Sequence, residues 1–226
     1  MKYYILSHRS VHKGQSGEGM GSTYDLSNAC KSCGTGAVLI GKLYTKGLKN
    51  ATNDCLYTLD GDNIISKKLY ETIIKNGAIV NDVSLVSDGK GQELPLFCVN
   101  PKLSFPRMQP FSQGLTIEGQ CPVCKQNDFF NDVIIGNLEK GIQTYIVPLK
   151  FHYNGVDSNF LNQSDIFHTW ECMGLSNIKA EGNRVIRYAR PLLIVSERIK
   201  EVFENFKIKK VLFDEITICN GPVELQ

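Results

Sequence analysis

Four of the eight cysteines fall into two pairs of identical spacing, Cys30-Lys-Ser-Cys33-Gly34 and Cys121-Pro-Val-Cys124-Lys125. Two intervening residues make a tight turn that points both sulfurs to one side and faces backbone N–H groups toward them. A zinc knuckle presents thiolates to a tetrahedral ion in this way, at about 2.3 Å. Gly34 suits the position after the second cysteine, where the chain often needs a positive φ that glycine adopts without strain. Pro122 stiffens the second turn by fixing φ. Three readings stand open: a metal tetrathiolate of Cys30, Cys33, Cys121 and Cys124; a redox pair at Cys30 and Cys33; or two pairs that do nothing together or have lost their metal. A thioredoxin-like pair sits between a strand and a helix that lowers its thiol pKa, and the Gly-Thr-Gly after Cys33 with β-leaning residues beyond fits that poorly. A closed four-sulfur site leaves no coordination position for water or substrate, so the metal reading is structural rather than catalytic.

The interval between the pairs is unusual. Between Cys33 and Cys121 lie 87 residues, against roughly 15 to 20 in a compact two-knuckle site. Closure entropy rises only slowly with loop length, so the insert must fold and bring the two turns together. The metal would then staple distant parts of one fold. Cys55, Cys98, Cys172 and Cys219 stand in apolar or strand-like surroundings and read as small core residues.

Other reactive residues form no catalytic set, and the chain reads as a non-enzyme. His8 and His12 are four apart in a segment not helical enough to pair them, which suits a solvated loop. His168, beside Trp170 and Glu171, reads as a site or a surface turn. No G-x-S-x-G elbow surrounds Ser196, and helix capping accounts for it. The glycines of GQSGEGMGS follow no strand and open no clear helix, so they make a poor phosphate loop.

The elements that must position the cysteines are short. Tyr3–Ser7 reads as an opening strand, 37–43 and 55–59 as two more, and Val83–Val86 as another. Ser66 caps a helix beginning at Lys67, with Leu69, Ile73 and Ile74 at helical spacing and Gly77 as the stop. The same grammar returns near the C-terminus: a buried strand Leu192–Val195, a cap at Ser196, and Ile199, Val202, Phe203 and Phe206 along one helical face. Glu197 in the first turn suits the helix dipole. Lys207, Lys209 and Lys210 crowd the helix end, and a strand follows over 211–218. At an offset of 130 positions Ser66 matches Ser196 and Glu71 matches Glu201, with apolar pairs Ile65/Val195, Leu69/Ile199 and Ile73/Phe203; duplication and convergence on a common pattern both produce this. Strands are further expected at 142–151, and a short strand or helix at 166–172. A Pro-rich connector, NPKLSFPRMQPFSQG, separates the two units. The mixture argues for an α+β fold with a mixed or antiparallel sheet, a few helices and a zinc-ribbon-like pair of CxxC knuckles. One division places an N-terminal α+β region at 1–140, carrying the knuckles at 28–37 and 119–127, and a C-terminal strand–helix–strand region at 141–226; a single compact unit is the alternative.

Composition bounds the function. Hydrophobic residues make up 42% and charged residues 21%, which excludes a disordered or fibrous chain. A formal net charge of +2 gives no global basic field for nucleic acid or an anionic membrane. The opening apolar run, Tyr3 to Leu6, is too short for a secretory signal, and no segment approaches a membrane span. The expected setting is a reducing cytoplasm, where the cysteines stay thiols or metal ligands.

Cys30-Lys-Ser-Cys33-Gly34, Cys121-Pro-Val-Cys124 and Pro191-Leu-Leu-Ile-Val-Ser-Glu-Arg198 with its following helix and strand resemble the double-CXXCG motif family of bacterial proteins. The last segment is also similar to the C-terminal part of immunity proteins from polymorphic toxin systems. The resemblance covers the knuckles and residues 191–218, and departs from the family at Lys125, where a second glycine is expected. It implies a cytoplasmic antidote that binds a cognate toxin domain and blocks it, with zinc in a structural role. Two other functions stay in view: a zinc-ribbon nucleic-acid binder using Lys207, Lys209 and Lys210, and a thiol oxidoreductase using Cys30 and Cys33.

Overall fold

The computed structural model describes residues 1–136, 143–174, 176 and 188–219. Its elements are many short strands and few helices, an α+β architecture. Two six-stranded sheets dominate. The first contains β1 (Tyr3–His8), and the second contains β2 (Cys55–Tyr57), β3 (Asn63–Ser66), β4 (Val83–Asp88) and β5 (Glu93–Val99), with α1 (Lys67–Lys75) between β3 and β4. Back in the first sheet are β6 (Ile166–Met173), β7 (Arg190–Ser196) and β8 (Val211–Glu215), with α2 (Glu197–Asn205) between β7 and β8.

The spatial orders are the same: β2-β3-β5-β4 in one sheet and β6-β7-β1-β8 in the other, with every neighbouring pair in these quartets antiparallel. The offset of 130 positions therefore extends past the helix into the last strand. Val83 and Phe213 occupy matching register positions, opposite Val99 and Leu6 respectively. The difference is connectivity. β5 follows β4 directly, whereas the matching place in the other quartet is filled by β1 from the far end of the chain.

Each quartet is fastened by the same serine–aspartate device. Ser66 caps α1 by accepting from the Leu69 N–H, while its hydroxyl donates to Asp54 Oδ1 at 2.6 Å and its N–H to the Asp54 carbonyl. Ser196 caps α2 and donates to Asp165 Oδ1 at 2.5 Å, and its N–H reaches the Asp165 carbonyl. Each aspartate immediately precedes the first strand of its quartet, so the cap ties helix, strand and neighbouring strand at one point.

One apolar cluster draws on both quartets: Cys55, Ile65, Leu69, Ile73 and Val99 from one, Ile166, Val195, Ile199, Phe203 and Leu6 from the other. The opposite faces are covered too. Tyr3, Ile5, Phe167 and Ile194 pack with Phe105, Phe151 and Tyr153, and Ile64, Leu96 and Cys98 pack with Leu43, Leu56 and Val86. Alternate residues of β1 thus enter different cores, which is why its sequence is apolar throughout.

Some expected strands are shorter than their apolar runs. The run over 37–43 is broken at Gly41, whose φ of 72° turns the chain between Val38–Ile40 and Leu43–Lys46. The run over 211–218 is interrupted between Glu215 and Thr217, and its second part, Thr217–Cys219, leaves β1 to pair in parallel with His152–Asn154. Of the strand expected at 142–151, position 142 lies outside the described residues and Gln143–Ile146 is the strand observed. Cys55, Cys98 and Cys172 are buried as expected of core thiols, and Cys219 is partly buried.

Candidate metal centre

The two knuckles meet. The sulfurs of Cys30, Cys33, Cys121 and Cys124 all lie within 4.8 Å of one another. Cys30 and Cys121 Sγ are 3.9 Å apart, and Cys33 and Cys124 Sγ 3.5 Å. A tetrahedron with metal–sulfur bonds of about 2.3 Å has edges of about 3.8 Å, so the spacing fits a four-coordinate ion. The four cysteines can hold a metal.

The knuckles are built alike. In the first, the Gly34 N–H donates to the Cys30 carbonyl at 2.7 Å, and in the second the Lys125 N–H donates to the Cys121 carbonyl at 3.0 Å. The residue after the second cysteine is left-handed in both: Gly34 at φ 72° and Lys125 at φ 56°. The missing glycine therefore does not change the turn; Lys125 adopts the strained conformation, at a cost of roughly 1 kcal/mol.

Surrounding groups orient the sulfurs. The backbone N–H groups of Cys124 and Val123 face Cys121 and hold its thiol below the ordinary range, whereas burial pushes Cys33 and Cys124 up. Thr35 Oγ1 lies 3.1 Å from Cys33 Sγ and 2.9 Å from Ser176 Oγ. Asn127 Oδ1 accepts from the Cys121 N–H at 2.9 Å, and the Gln126 carbonyl accepts from Cys172 N–H at the end of β6. Four thiolates at this spacing repel one another, and a divalent cation would offset that charge.

The centre joins the two sheets. The hairpin Thr23–Asp25/Val38–Ile40 frames the first knuckle and leads directly into the strand beside β4, while the second knuckle rests on the end of β6. Beside it lies a cavity of about 200 Å³ lined by Ala37, Asp62, Gln126, His168, Cys172 and Arg190 among others. Arg190 Nε is 3.2 Å from Asp62 Oδ1, its Nη2 donates to the Tyr24 hydroxyl at 2.8 Å, and its guanidinium lies over the Tyr24 and Tyr188 rings. These contacts tie the knuckle hairpin to both quartets through one side chain. Their residues carry no short motif, so nothing in the residue order announces them.

The remaining candidates separate. His168 lies in β6 on the wall of that cavity rather than on a surface turn, and burial lowers its pKa to about 3. His8 is not in a solvated loop: it ends β1, stacks on Tyr57 at 5.1 Å and contacts Asn63 Oδ1 at 3.0 Å, and burial lowers its pKa to about 4. His12 turns back on its own loop, its Nδ1 accepting from the Gly14 N–H, so the two histidines do not form a metal pair. Ser196 is a cap with a buried aspartate partner. The GQSGEGMGS glycines frame a single 3₁₀ turn, Glu18–Met20. Among the described residues, no helix is long and apolar enough to cross a membrane. No protein-family model matches the chain, and no curated protein does.

Proposed function

We propose that the chain is a zinc-stapled protein-binding module, an immunity protein that neutralises a cognate bacterial toxin in the cytoplasm. The convergence of four cysteine sulfurs at tetrahedral spacing carries the reading, because a closed tetrathiolate stabilises a fold without offering a reaction site. The family resemblance of the knuckles and of residues 191–218 supports the antidote role. Zinc is favoured over iron because a structural site needs no redox function; both metals take tetrahedral sulfur. Cys30, Cys33, Cys121 and Cys124 would hold the ion, and the ion would supply folding energy.

Elemental analysis of purified protein tests the staple: one zinc per chain is expected, and a ferric tetrathiolate would show as a coloured preparation. Co-expression with a toxin domain encoded by a neighbouring gene tests the role. Rescue of growth together with a stable complex supports the antidote reading, and a toxin that kills equally well with and without this chain overturns it.

A further inference from the structure

The two quartets differ most where a loop leaves the helix. In the first, α1 ends in a left-handed Gly77, followed by Ala78, Ile79 and Val80. That loop is sewn onto the start of β6. Ile79 N–H donates to Asp165 Oδ2 at 2.7 Å, its carbonyl accepts from the Asp165 N–H at 2.8 Å and from Ser164 Oγ, and Arg198 donates to the Gly77 carbonyl.

At the matching positions, 130 residues on, the second quartet has Lys207, Ile208, Lys209 and Lys210. The helix ends with the same bonds: Lys207 N–H to the Glu204 carbonyl and Ile208 N–H to the Phe203 carbonyl. The loop is not sewn onto the start of β2. The counterpart of Asp165 is Asp54, and no hydrogen bond joins it to Lys209 among the described residues. Where the first quartet is closed, a cleft of about 350 Å³ opens, lined by Asn53, Cys55 and Leu56 on one side and by Lys209, Lys210, His8, His12 and Lys13 on the other.

The cleft is cationic. Lys13, Lys209 and Lys210 are exposed, Arg9 adjoins them, and no aspartate or glutamate among the described residues lines the space. None of these four cations forms an ion pair among the described residues. The arrangement is held in place by the Arg9 N–H donating to the Lys210 carbonyl at 2.8 Å and by the His12 N–H donating to the Tyr57 carbonyl. Gly14 permits the turn, since a Cβ there would collide with the Leu48 side chain. Lys207 and Lys210 both sit at positive φ, 55° and 68°, a conformation that strains any residue with a Cβ. The first quartet uses glycine at the position of Lys207; the second keeps a lysine there despite the strain.

We propose that this cleft binds an acidic segment of a protein partner, its carboxylates facing Lys13, Lys209, Lys210 and Arg9 and its apolar groups reaching the exposed Val11. This rests on the protein-binding reading above and names its contact surface. Three lysines and an arginine around a short notch match the carboxylates of a peptide segment, whereas a nucleic acid needs a longer run of cations and rings for base stacking. Among the described residues the cleft is lined by no aromatic ring besides His8 and His12, with Tyr57 on the adjoining wall beside Arg9.

The test is titration of the zinc-loaded full chain at low salt with a labelled ten-residue peptide of alternating Glu and Leu. A single-stranded oligonucleotide of matched charge and inorganic phosphate serve as competitors. Saturable peptide binding that weakens about fivefold for each charge removed by Lys13→Ala, Lys209→Ala or Lys210→Gly, and further with salt, is expected. Lys210→Gly also relieves the backbone, so its thermal midpoint should rise while its affinity falls, a combination that a purely structural lysine does not give. No saturable binding, equal binding by the variants, or an oligonucleotide or phosphate that outcompetes the peptide overturns the proposal. The same variants are assayed against the cognate toxin. A toxin held equally by wild type and by Lys13→Ala/Lys209→Ala overturns the cleft while leaving the antidote reading intact. A peptide held in the cleft by a chain that never binds the toxin sinks the antidote reading alone.

Discussion

The quartet β2-β3-β5-β4 and the quartet β6-β7-β1-β8 share strand order, helix placement, a capping serine and an aspartate behind it. They differ in how the aspartate is used. Asp165 is buried and receives Ser196 Oγ, Ile79 N–H and Arg198 at 3.2 Å, so it fastens its own helix and the other quartet's loop at once. Asp54 is partly buried and receives Ser66 Oγ, and its chain neighbours Asn53 and Cys55 line a cationic cleft. One repeated device thus serves as a rivet at one end and leaves an opening at the other. The contrast shows that a repeated local pattern fixes a fold while the contacts around it decide what each copy is for.

The largest perturbation acts on the four-cysteine centre between the two sheets. Cys33→Ser, or removal of metal with a strong chelator, is expected to lower the unfolding free energy by on the order of 5 kcal/mol or more, read by urea denaturation. A variant as stable as wild type would mean that the quartets hold together without the metal.

Next comes the rivet itself. Asp165→Ala strands a buried hydroxyl and a backbone N–H and should cost about 3 kcal/mol, while Asp54→Ala should cost about 1 kcal/mol. Equal losses in equilibrium unfolding would erase the asymmetry between the two ends.

Acid sharpens the comparison from another side. Both strongly perturbed imidazoles, His8 and His168, belong to β1 and β6 of the same quartet. Their folded pKa values, about 4 and about 3, lie below the ordinary 6.5 because burial disfavours the charged ring. The unfolded chain therefore binds protons first: this stability is present above pH 6.5 and is lost as pH falls toward 4 for His8 and toward 3 for His168. By pH 5 each costs up to about 2 kcal/mol. Amide exchange at pH 5 should lose protection in β1, β6 and β7 before β3 and β5; loss in the reverse order would contradict the assignment.

The smallest effects come from the left-handed lysines. Lys125→Gly and Lys207→Gly should each raise stability by about 0.5–1 kcal/mol, and Gly34→Ala should lower it by about as much. Differential scanning calorimetry resolves these shifts, and a destabilised Lys125→Gly would mean that the lysine side chain is needed at the second knuckle.

Much of this was legible in the sequence where one segment decides its own conformation. Ser66 and Ser196 announce their helices because capping is a contact over three residues, and C-x-x-C announces a knuckle because both sulfurs sit on one turn. The offset of 130 was visible because the strand end, the capping serine and the helix are contiguous in both copies. Hidden were the partners that the chain supplies from elsewhere: Asp54 and Asp165 behind the serines, Arg190 between Asp62 and Tyr24, and the tolerance of Lys125 for positive φ.

By itself, the order of residues settled α1 and α2, their caps and the turn geometry of each cysteine pair, since those depend on backbone sterics and bonds between near neighbours. Only tertiary packing decided that β1 completes a quartet whose other strands begin at Ile166, that the second knuckle reaches the first, and that one helix-end loop closes while the other stays open. Those outcomes depend on pairing between distant segments. Their free energy comes from burying the shared core, so no short stretch of sequence carries it.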